Sequence, residues 1–412
     1  MSQVNYGEFT HAVHQRIKER VPLDVTLEIT HRCPLTCAHC YNNLPMADRE
    51  AAACELSLDE YKRLLDELHD LGTFWILFSG GEPFARKDFL DIYTYAKQKG
   101  FLITIFTNGT ILTAAIADHL AEYPPFAIEI TLYGHTRETY ERLTGVEGSY
   151  ERCLRGIKLL RERNLPLKLK TVPTSINKHE VLDMQRFAAQ LGVEFKYDAL
   201  INPRTDCSQS PLGVRLRPDE VVALEFSEPK RMSEYRRLLE ADLASGPPQL
   251  SDDLYFCGGG MTSCAIDPYG RMSICVISHQ DHYNVRDGSF VEGWNKGLLA
   301  IRLKKRRRLT KCNSCQIQSL CGMCPANGEL ESFDPESPVE FLCEVAHLRA
   351  MALGCEVPSH GDCANCRGGA HYEDLCVAVE ELPITHEAMA TPSVTLPVLN
   401  QNGGGCLGRC GH

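Results

Sequence analysis

The sequence predicts an α/β protein whose N-terminal half is a partial (β/α)6, TIM-like barrel, followed by a small cysteine-rich domain and a flexible C-terminal tail. Three observations predict it: six strand-like segments alternate with helical ones over residues 24–200, cysteines recur at short spacings in the second half, and residues 351–412 turn rich in Gly, Pro and Cys. DVTLEIT (24–30) alternates apolar and polar residues and runs directly into CPLTCAHCY (33–41). Ser57 and Glu60 make a capping-box pattern ahead of Tyr61, Leu64, Leu65, Leu68 and Leu71 at helical spacing, with a stop at Gly72. FWILF (74–78), FLITIF (101–106), FAIEITL (126–132), LKLKTV (167–172) and EFKYDAL (194–200) supply the remaining strands, with helical stretches between them. Strands joined in this way form a parallel barrel, and in such folds chemistry collects at the C-terminal ends of the strands.

A chain of 412 residues exceeds what one core usually serves, so two or three domains are expected. The boundaries read as a helical extension (1–22), the barrel (23–200), a bridging region (201–256), the cysteine domain (257–350) and the tail (351–412). The bridge lacks strand signals, is rich in Pro and charge, and contains a helix from Pro218 to Ser227 and a GPP turn at 246–248. The first twenty residues hold no apolar signal region, and no uncharged apolar run reaches about 18 residues. A soluble, cytoplasmic protein with no membrane partner is expected. The balance of 43 basic against 54 acidic residues, net −11, disfavours nucleic acid as a partner. RLKKRRRLTK (302–311) is a local exception, read as a solvated helix face or, alternatively, a docking surface for an acidic peptide or an electron donor.

Twenty cysteines in a reducing compartment call for metal rather than disulfides. Thiolates ligate both zinc and iron-sulfur clusters. Cys33, Cys37 and Cys40 form C-x3-C-x2-C, which offers three thiolates on one loop and no obvious fourth, and three ligands on a four-iron cubane leave one iron open. In the second half, Cys257, Cys264, Gly270 and Cys275 read C-x6-C-x5-G-x4-C, and Cys312, Cys315, Cys321 and Cys324 read C-x2-C-x5-C-x2-C, with Cys343 further on. Because C-x2-C is also a common zinc half-site, a pair of zinc sites is the alternative, and metal that serves folding alone is another. Cys54 and Cys153 read as incidental, Cys153 as helix packing.

The triplet with Tyr41 beside its last cysteine, SGGEP (79–83) after the second strand and TNG (107–109) after the third together resemble the radical SAM superfamily. The resemblance implies a [4Fe-4S] cluster whose open iron is chelated by the amino and carboxylate groups of S-adenosylmethionine, and a 5′-deoxyadenosyl radical that abstracts a substrate hydrogen. It implies that Gly80, Gly81 and Glu82 hold the cofactor's amino group, glycine permitting close backbone approach, while Pro83 shapes the turn. Asn108 would lie near the cofactor, Thr131 and Asn177 near its ribose, and Arg142 in RLTG would pair with the methionine carboxylate, a task suited to a planar fork of donors.

The second-half pattern resembles the SPASM extension and implies two auxiliary [4Fe-4S] clusters, three clusters in all. By that resemblance Cys257, Cys264, Cys275 and Cys324 hold the inner cluster and Cys312, Cys315, Cys321 and Cys343 the outer one, although the family has C-x3-C where this chain ends its run with C-x2-C. Cys207, in INPRTDCSQSP, falls at the barrel mouth: a hydrogen-atom donor such as some radical SAM epimerases use, or an inert thiol. Val276 stands where sulfatase maturases have an aspartate, which marks down a formylglycine-forming role.

The expectation is a radical SAM/SPASM enzyme that modifies a peptide or protein by a thioether or carbon-carbon crosslink, epimerisation or side-chain oxidation. The alternatives are an enzyme acting on a small molecule or tetrapyrrole, and a non-catalytic iron-sulfur electron-transfer protein. Expected partners are the peptide, an electron donor such as flavodoxin or ferredoxin, and a separate leader-peptide-binding protein, since residues 1–22 are too few for such a module. Cys355, Cys363, Cys366, Cys376, Cys406 and Cys410 lie in the tail, which reads three ways: a disordered segment with reactive thiols, an extra metal site using Cys363 and Cys366, or a fused substrate.

Overall fold

The computed structural model describes residues 19–245, 251–278, 280–357, 359–382 and 394–395. Most of the expected N-terminal extension, the GPP turn, Cys406 and Cys410 lie outside the described residues. The chain divides into two units, Met1–Leu216 with Asp253–Arg306 and Pro325–Pro335, and Arg217–Asp252 with Arg307–Cys324 and Glu336–His412.

The first unit is built on six parallel strands in sequence order: β1 (Asp24–Thr30), β2 (Trp75–Gly80), β3 (Leu102–Thr107), β4 (Ala127–Thr131), β5 (Leu167–Thr171) and β6 (Glu194–Tyr197). The helices between them are α1 (Arg49–Cys54), α2 (Leu58–Asp70), α3 (Phe89–Gln98), α4 (Ala114–Glu122), α5 (Arg137–Thr144), α6 (Ser149–Glu162) and α7 (Val181–Leu191). This is the partial barrel that the alternation predicts. The structure adds to it on the β1 side. β7 (Ser263–Ile266) pairs parallel with β1, aligning Val25 with Cys264, and continues antiparallel into β8 (Arg271–Ser273) and β9 (Tyr283–Asn284).

Alternation fixes which face each side chain takes. Val25, Leu27, Ile29, Ile76, Phe78, Ile103, Ile105, Ile128, Ile130 and Leu169 are fully buried or nearly so, and Phe78 meets the rings of Phe89 and Tyr93 on α3 at 5.4 and 6.4 Å. The capping box of α2 forms as expected: Ser57 Oγ accepts from the Glu60 amide and Glu60 accepts from the Ser57 amide. It starts a helix that buries Tyr61, Leu64, Leu65 and Leu68, each worth about 1.5–3 kcal/mol of apolar burial. The opposite face of the sheet is polar. Glu129 of β4 pairs with Lys196 of β6 at 2.8 Å and Lys170 of β5 at 3.6 Å, and the Lys170 ammonium lies over the Phe106 ring of β3. Burial lowers Lys170 to about 7. A barrel interior that holds charge rather than aliphatic layers is a place for ligands.

The second unit is helical. Helices Pro218–Phe226 and Glu340–Ala352 are joined by Arg349, whose guanidinium grips Glu225 at 2.8 and 2.7 Å and lies over the Tyr235 ring. Helix Pro229–Ser245 was not anticipated from the sequence; its only fully buried side chains are Met232 and Leu239, too few to set a helical period. The basic run 302–311 is a second difference. Its α-helix ends at Arg302, followed by a turn, an isolated bridge from Lys305 to Asp253, bends at Arg307 and Arg308, and the start of a 3-10 turn at Lys311. In the first unit Lys305 pairs with Asp253 at 2.6 Å, and in the second Arg307 pairs with Glu336 at 3.0 Å and Lys311 with Glu340 at 2.7 Å. Lys304 also pairs with Asp281, whereas Arg306 donates to Asp253 O and lies over the Phe256 ring.

Two glycines test this account of the fold. Gly80 has φ +124°, and a β-carbon there would stand 2.2 Å from the Thr30 carbonyl oxygen; Gly192 caps α7 at φ +67° with open space around it. Gly192→Ala should cost about 1 kcal/mol, whereas Gly80→Ala should cost more than about 3 kcal/mol because backbone must move. Thermal unfolding of the two variants side by side measures the difference; equal losses would refute the close approach.

Candidate cluster sites

The cysteine loop leaves the end of β1. A two-residue parallel pairing, Arg32 with Leu44 and Cys33 with Pro45, closes it at its base. Its outer turn rests on α5: the Thr36 amide donates to Thr144 O at 2.9 Å and the Ala38 amide to Leu143 O at 3.1 Å. Below it sits the buried carboxylate of Glu28, which accepts from Tyr41 Oη at 2.8 Å and Asn42 Nδ2 at 2.7 Å and contacts His31 Nε2 at 3.3 Å. This gives Tyr41 a physical duty, since its hydroxyl anchors the residue after the third cysteine to β1. From the other side Arg204 donates to Cys40 O at 3.2 Å, Asn43 Oδ1 at 2.9 Å and Asn43 O at 3.0 Å, and the Thr205 amide donates to Tyr41 O at 3.0 Å.

Three thiols are thereby held on one rigid loop. Burial, then the nearby Glu82 charge, pushes Cys33 up to about 12. Cys37 is raised by burial and by the charges of Cys40 and Cys33, and Cys40 is raised by burial. Thiolates repel one another here and no protein cation sits among them, except that Arg204 favours the Cys40 thiolate. A bound cationic centre reverses this logic by deprotonating its thiol ligands. The donor set therefore fits a cluster held by three cysteines. The ring of His39 is buried beside Tyr133, with Nδ1 unpartnered, and burial lowers it to about 4, so it is a neutral imidazole.

The structure gives the other site residues of the first unit distinct surroundings. Gly80 and Gly81 lie where β2 crosses the start of the loop: a β-carbon on Gly81 would stand 2.4 Å from His31 O and 2.7 Å from Arg32 O. Glu82 is fully buried and accepts from Thr107 Oγ1 at 2.8 Å and the Asn108 amide at 2.8 Å, which pins the loop after β3 to the loop after β2. Burial raises it to about 7. Pro83 opens a short 3-10 turn, Pro83–Ala85. Asn108 Nδ2 points at Cys33 Sγ, 3.5 Å away, while its Oδ1 accepts from Thr110. Asn177 spends its side chain internally, on Thr174, Val172 O and Tyr133 O. Thr131 ends β4 half-buried, and Arg142 is exposed on the last turn of α5.

Cys207 is buried in a left-handed backbone conformation, φ 65°. Its Sγ lies 3.5 Å from Gln280 Nε2 and 3.8 Å from Glu329 O, and it sits three residues beyond the Arg204 that braces the cysteine loop. The Glu329 carboxyl was not anticipated. It is buried on helix Pro325–Ser332, with Asp281 and Lys304 as its charged neighbours. Sequence offered only a glutamate between two cysteines; what raises it to about 7 is burial, which no local pattern records.

Of the remaining cysteines, Cys257 is exposed, Cys264 buried on β7 and Cys275 half-buried, all in the first unit. Cys312, Cys315, Cys321, Cys324 and Cys343 are half-buried and belong to the second unit. Within that unit the charges of Cys312 and Cys343 both raise Cys321, so these three thiols are neighbours.

A profile of the Radical SAM superfamily matches residues 27–188. Over 344 residues the chain is 34% identical to the PqqA peptide cyclase of Rhodopseudomonas palustris, covering 76% of this chain and 86% of that one. Over 325 residues it is 27% identical to the AdoMet-dependent heme synthase of Oleidesulfovibrio alaskensis, covering 74% and 82%. Among solved structures, SuiB of Streptococcus suis bound to precursor peptide SuiA shares the fold with a TM-score of 0.62 at 17% identity, over 83% of this chain and 82% of that one.

Glu329 generates a pH signature. Its folded value of about 7 exceeds the usual 4.5. Between those values the unfolded chain ionises while the folded acid stays neutral, so stability falls as pH rises through the window and is level above it. Glu329→Gln should flatten that part of the curve and be more stable than the parent at pH 8. Denaturant unfolding from pH 4.5 to 8 checks it, and parallel curves would refute the buried acid.

Proposed function

Since the chain belongs to the radical SAM superfamily, in its SPASM-bearing branch, we propose that it cleaves S-adenosylmethionine reductively and modifies a peptide or protein substrate. The carrying observation is the rigid three-thiol loop of Cys33, Cys37 and Cys40 at the mouth of a barrel with a charged interior. A [4Fe-4S] cluster on these three thiols supplies, when bound, an open iron for the cofactor and the electron that cleaves it to a 5′-deoxyadenosyl radical.

The chain's own groups divide the remaining work. Gly80 and Gly81 present bare backbone to the cofactor's amino group, with Pro83 fixing the turn, Thr131 takes the ribose, Arg142 takes the methionine carboxylate, and Asn177, whose side chain is spent on Thr174, Val172 O and Tyr133 O, shapes the neighbouring loop. Glu82 and Asn108 position the loops that form this cradle, Asn108 by aiming its amide at Cys33. Glu28 and Arg204 hold the loop still from below and from the side. Cys207 is a hydrogen-atom donor toward the substrate, and Glu329 beside it holds a proton near neutral pH. The auxiliary clusters fall to Cys257, Cys264, Cys275 and Cys324, and to Cys312, Cys315, Cys321 and Cys343. A flavodoxin or ferredoxin supplies electrons, and a separate protein presents the leader peptide.

Peptide chemistry is favoured by likeness to a peptide cyclase at 34% identity over most of both chains. The likeness to a heme synthase supports a second reading, oxidative removal of a tetrapyrrole carboxylate. Anaerobically reconstituted protein, given S-adenosylmethionine and a strong reductant, separates the two. Deoxyadenosine with two hydrogens lost from a peptide encoded beside the gene, or from the chain's own Cys406 to Cys410 segment, supports the first; carbon dioxide released from a carboxylated iron tetrapyrrole supports the second.

Replacing Cys33, Cys37 and Cys40 together with alanine should abolish deoxyadenosine formation while iron stays on the eight remaining cluster cysteines; cofactor cleavage that survives would sink the assignment. Cys207→Ala should keep deoxyadenosine formation within about 2-fold, well under the 1.4 kcal/mol of a tenfold change, yet lose or alter the product. An unchanged product would make the thiol inert.

A further inference from the structure

We infer that the second unit holds a single zinc ion on His347, His360, Cys363 and Cys366, a ligand set distinct from the eight auxiliary-cluster cysteines but touching one of them, since Cys343 Sγ lies 3.7 Å from Cys363 Sγ. The four ligand atoms all lie within 4.8 Å of one another, and all four residues are buried. Cys366 Sγ stands 3.2 Å from His347 Nε2 and 3.1 Å from His360 Nδ1, and Cys363 Sγ stands 3.8 Å from His347 Nε2. With zinc bonds of about 2.3 Å to sulfur and 2.0–2.1 Å to nitrogen, the edges of a tetrahedral site measure about 3.5 Å, so the observed separations straddle what one ion requires.

Orientation supports the same conclusion. His347 Nδ1 lies 2.7 Å from Cys343 O. A carbonyl accepts only from N–H, so Nδ1 carries the proton and the Nε2 lone pair faces the thiols, as in a metal-ligating histidine fixed by its second nitrogen. Local backbone builds the rest. His360, Cys363 and Cys366 recur at three-residue spacing, their turns closed by the Cys363 amide on His360 O at 3.3 Å and the Gly369 amide on Cys366 O at 2.8 Å. Gly369 must be glycine, since a β-carbon would meet Ala364 O at 2.3 Å. Asn365, between the two cysteines, is fully buried and lends its side chain to the Cys343 thiol, a polar group among the thiols of this unit.

The donor set selects the metal. Two imidazoles and two thiolates in a closed, dry, four-coordinate arrangement suit zinc. An iron-sulfur cubane takes its ligands on four separate irons, spread wider than four ligands converging on one ion, and this set converges. With no open position, the ion is structural. It ties helix Glu340–Ala352 to the segment reaching helix Tyr372–Glu380, and its binding energy is folding energy for a unit with a small core.

The inference stands or falls without turnover. Full-length protein purified anaerobically with its iron in place is assayed for zinc and iron per chain, and its zinc coordination is read by X-ray absorption at the zinc edge. One zinc per chain with two sulfur and two nitrogen neighbours is the expected result, and Cys363→Ser with Cys366→Ser should lose that zinc while iron is unchanged. Zinc with four sulfurs, absence of zinc, zinc retained by the double variant, or an iron loss in that variant would each overturn the proposal. If the variant does not fold, the absorption spectrum of the parent protein still decides.

Discussion

Everything at the barrel mouth depends on a backbone-to-backbone contact between residues 30–32 and residues 80–82. The Gly81 amide donates to Thr30 O at 2.6 Å and the Glu82 amide to Arg32 O at 3.1 Å, just where the β1–β2 register slips between Glu28 and Thr30. Only residues without a β-carbon fit opposite those carbonyls. The contact turns the chain from strand into the loop that carries Cys33, so the pair of glycines sets the direction from which the first thiol enters. Their steric duty toward the loop rests on bare backbone, the same property that the proposed contact with a cofactor uses.

Around that crossing the molecule places carboxylates where a hydrophobic core would be cheaper. Glu28 ties Tyr41 and Asn42 to β1, Glu82 ties the loop after β3 to the loop after β2, and Glu180 accepts from the His135 and Thr136 amides and from Thr136 and Thr139. A buried carboxylate is costly unless its oxygens are satisfied, and each of these is satisfied by donors from a different loop. The result is a mouth whose loops are mutually fixed, which a site handling a reactive radical requires in order to hold its reactants in register.

Much of this was legible in the sequence, for identifiable reasons. Strand alternation exposed β1 to β6 because each strand has one helix-covered face; the Ser57–Glu60 box exposed α2 because capping is local; the cysteine spacing exposed the loop because ligands must share it. What escaped depends on distant partners. β7 reads as part of a cysteine motif, and only pairing with β1 makes it a strand of the barrel sheet. Arg204 is one more charged residue in a loop until its hydrogen bonds to Cys40 and Asn43 are seen. The run 302–311 reads as a helix face because spacing carries no trace of Asp253, Glu336 and Glu340, the carboxylates its side chains meet once the helix has ended at Arg302.

His347 is the hardest case, and the one that links the two metal environments proposed for the second unit. A lone histidine on an apolar helix face is ordinarily core, and nothing in FLCEVAHLRA distinguishes it. Yet it follows Cys343 by four residues, which places both on one face of helix Glu340–Ala352, one turn apart. The Cys343 carbonyl fixes the imidazole, and the Cys343 thiol lies 3.7 Å from Cys363 Sγ. One turn of helix thus carries a thiol expected to ligate the outer cluster and an imidazole directed at the zinc site. The imidazole is held by the Cys343 carbonyl and not by its thiol, so emptying the zinc site leaves the turn, and with it the Cys343 thiol, where the helix backbone puts them.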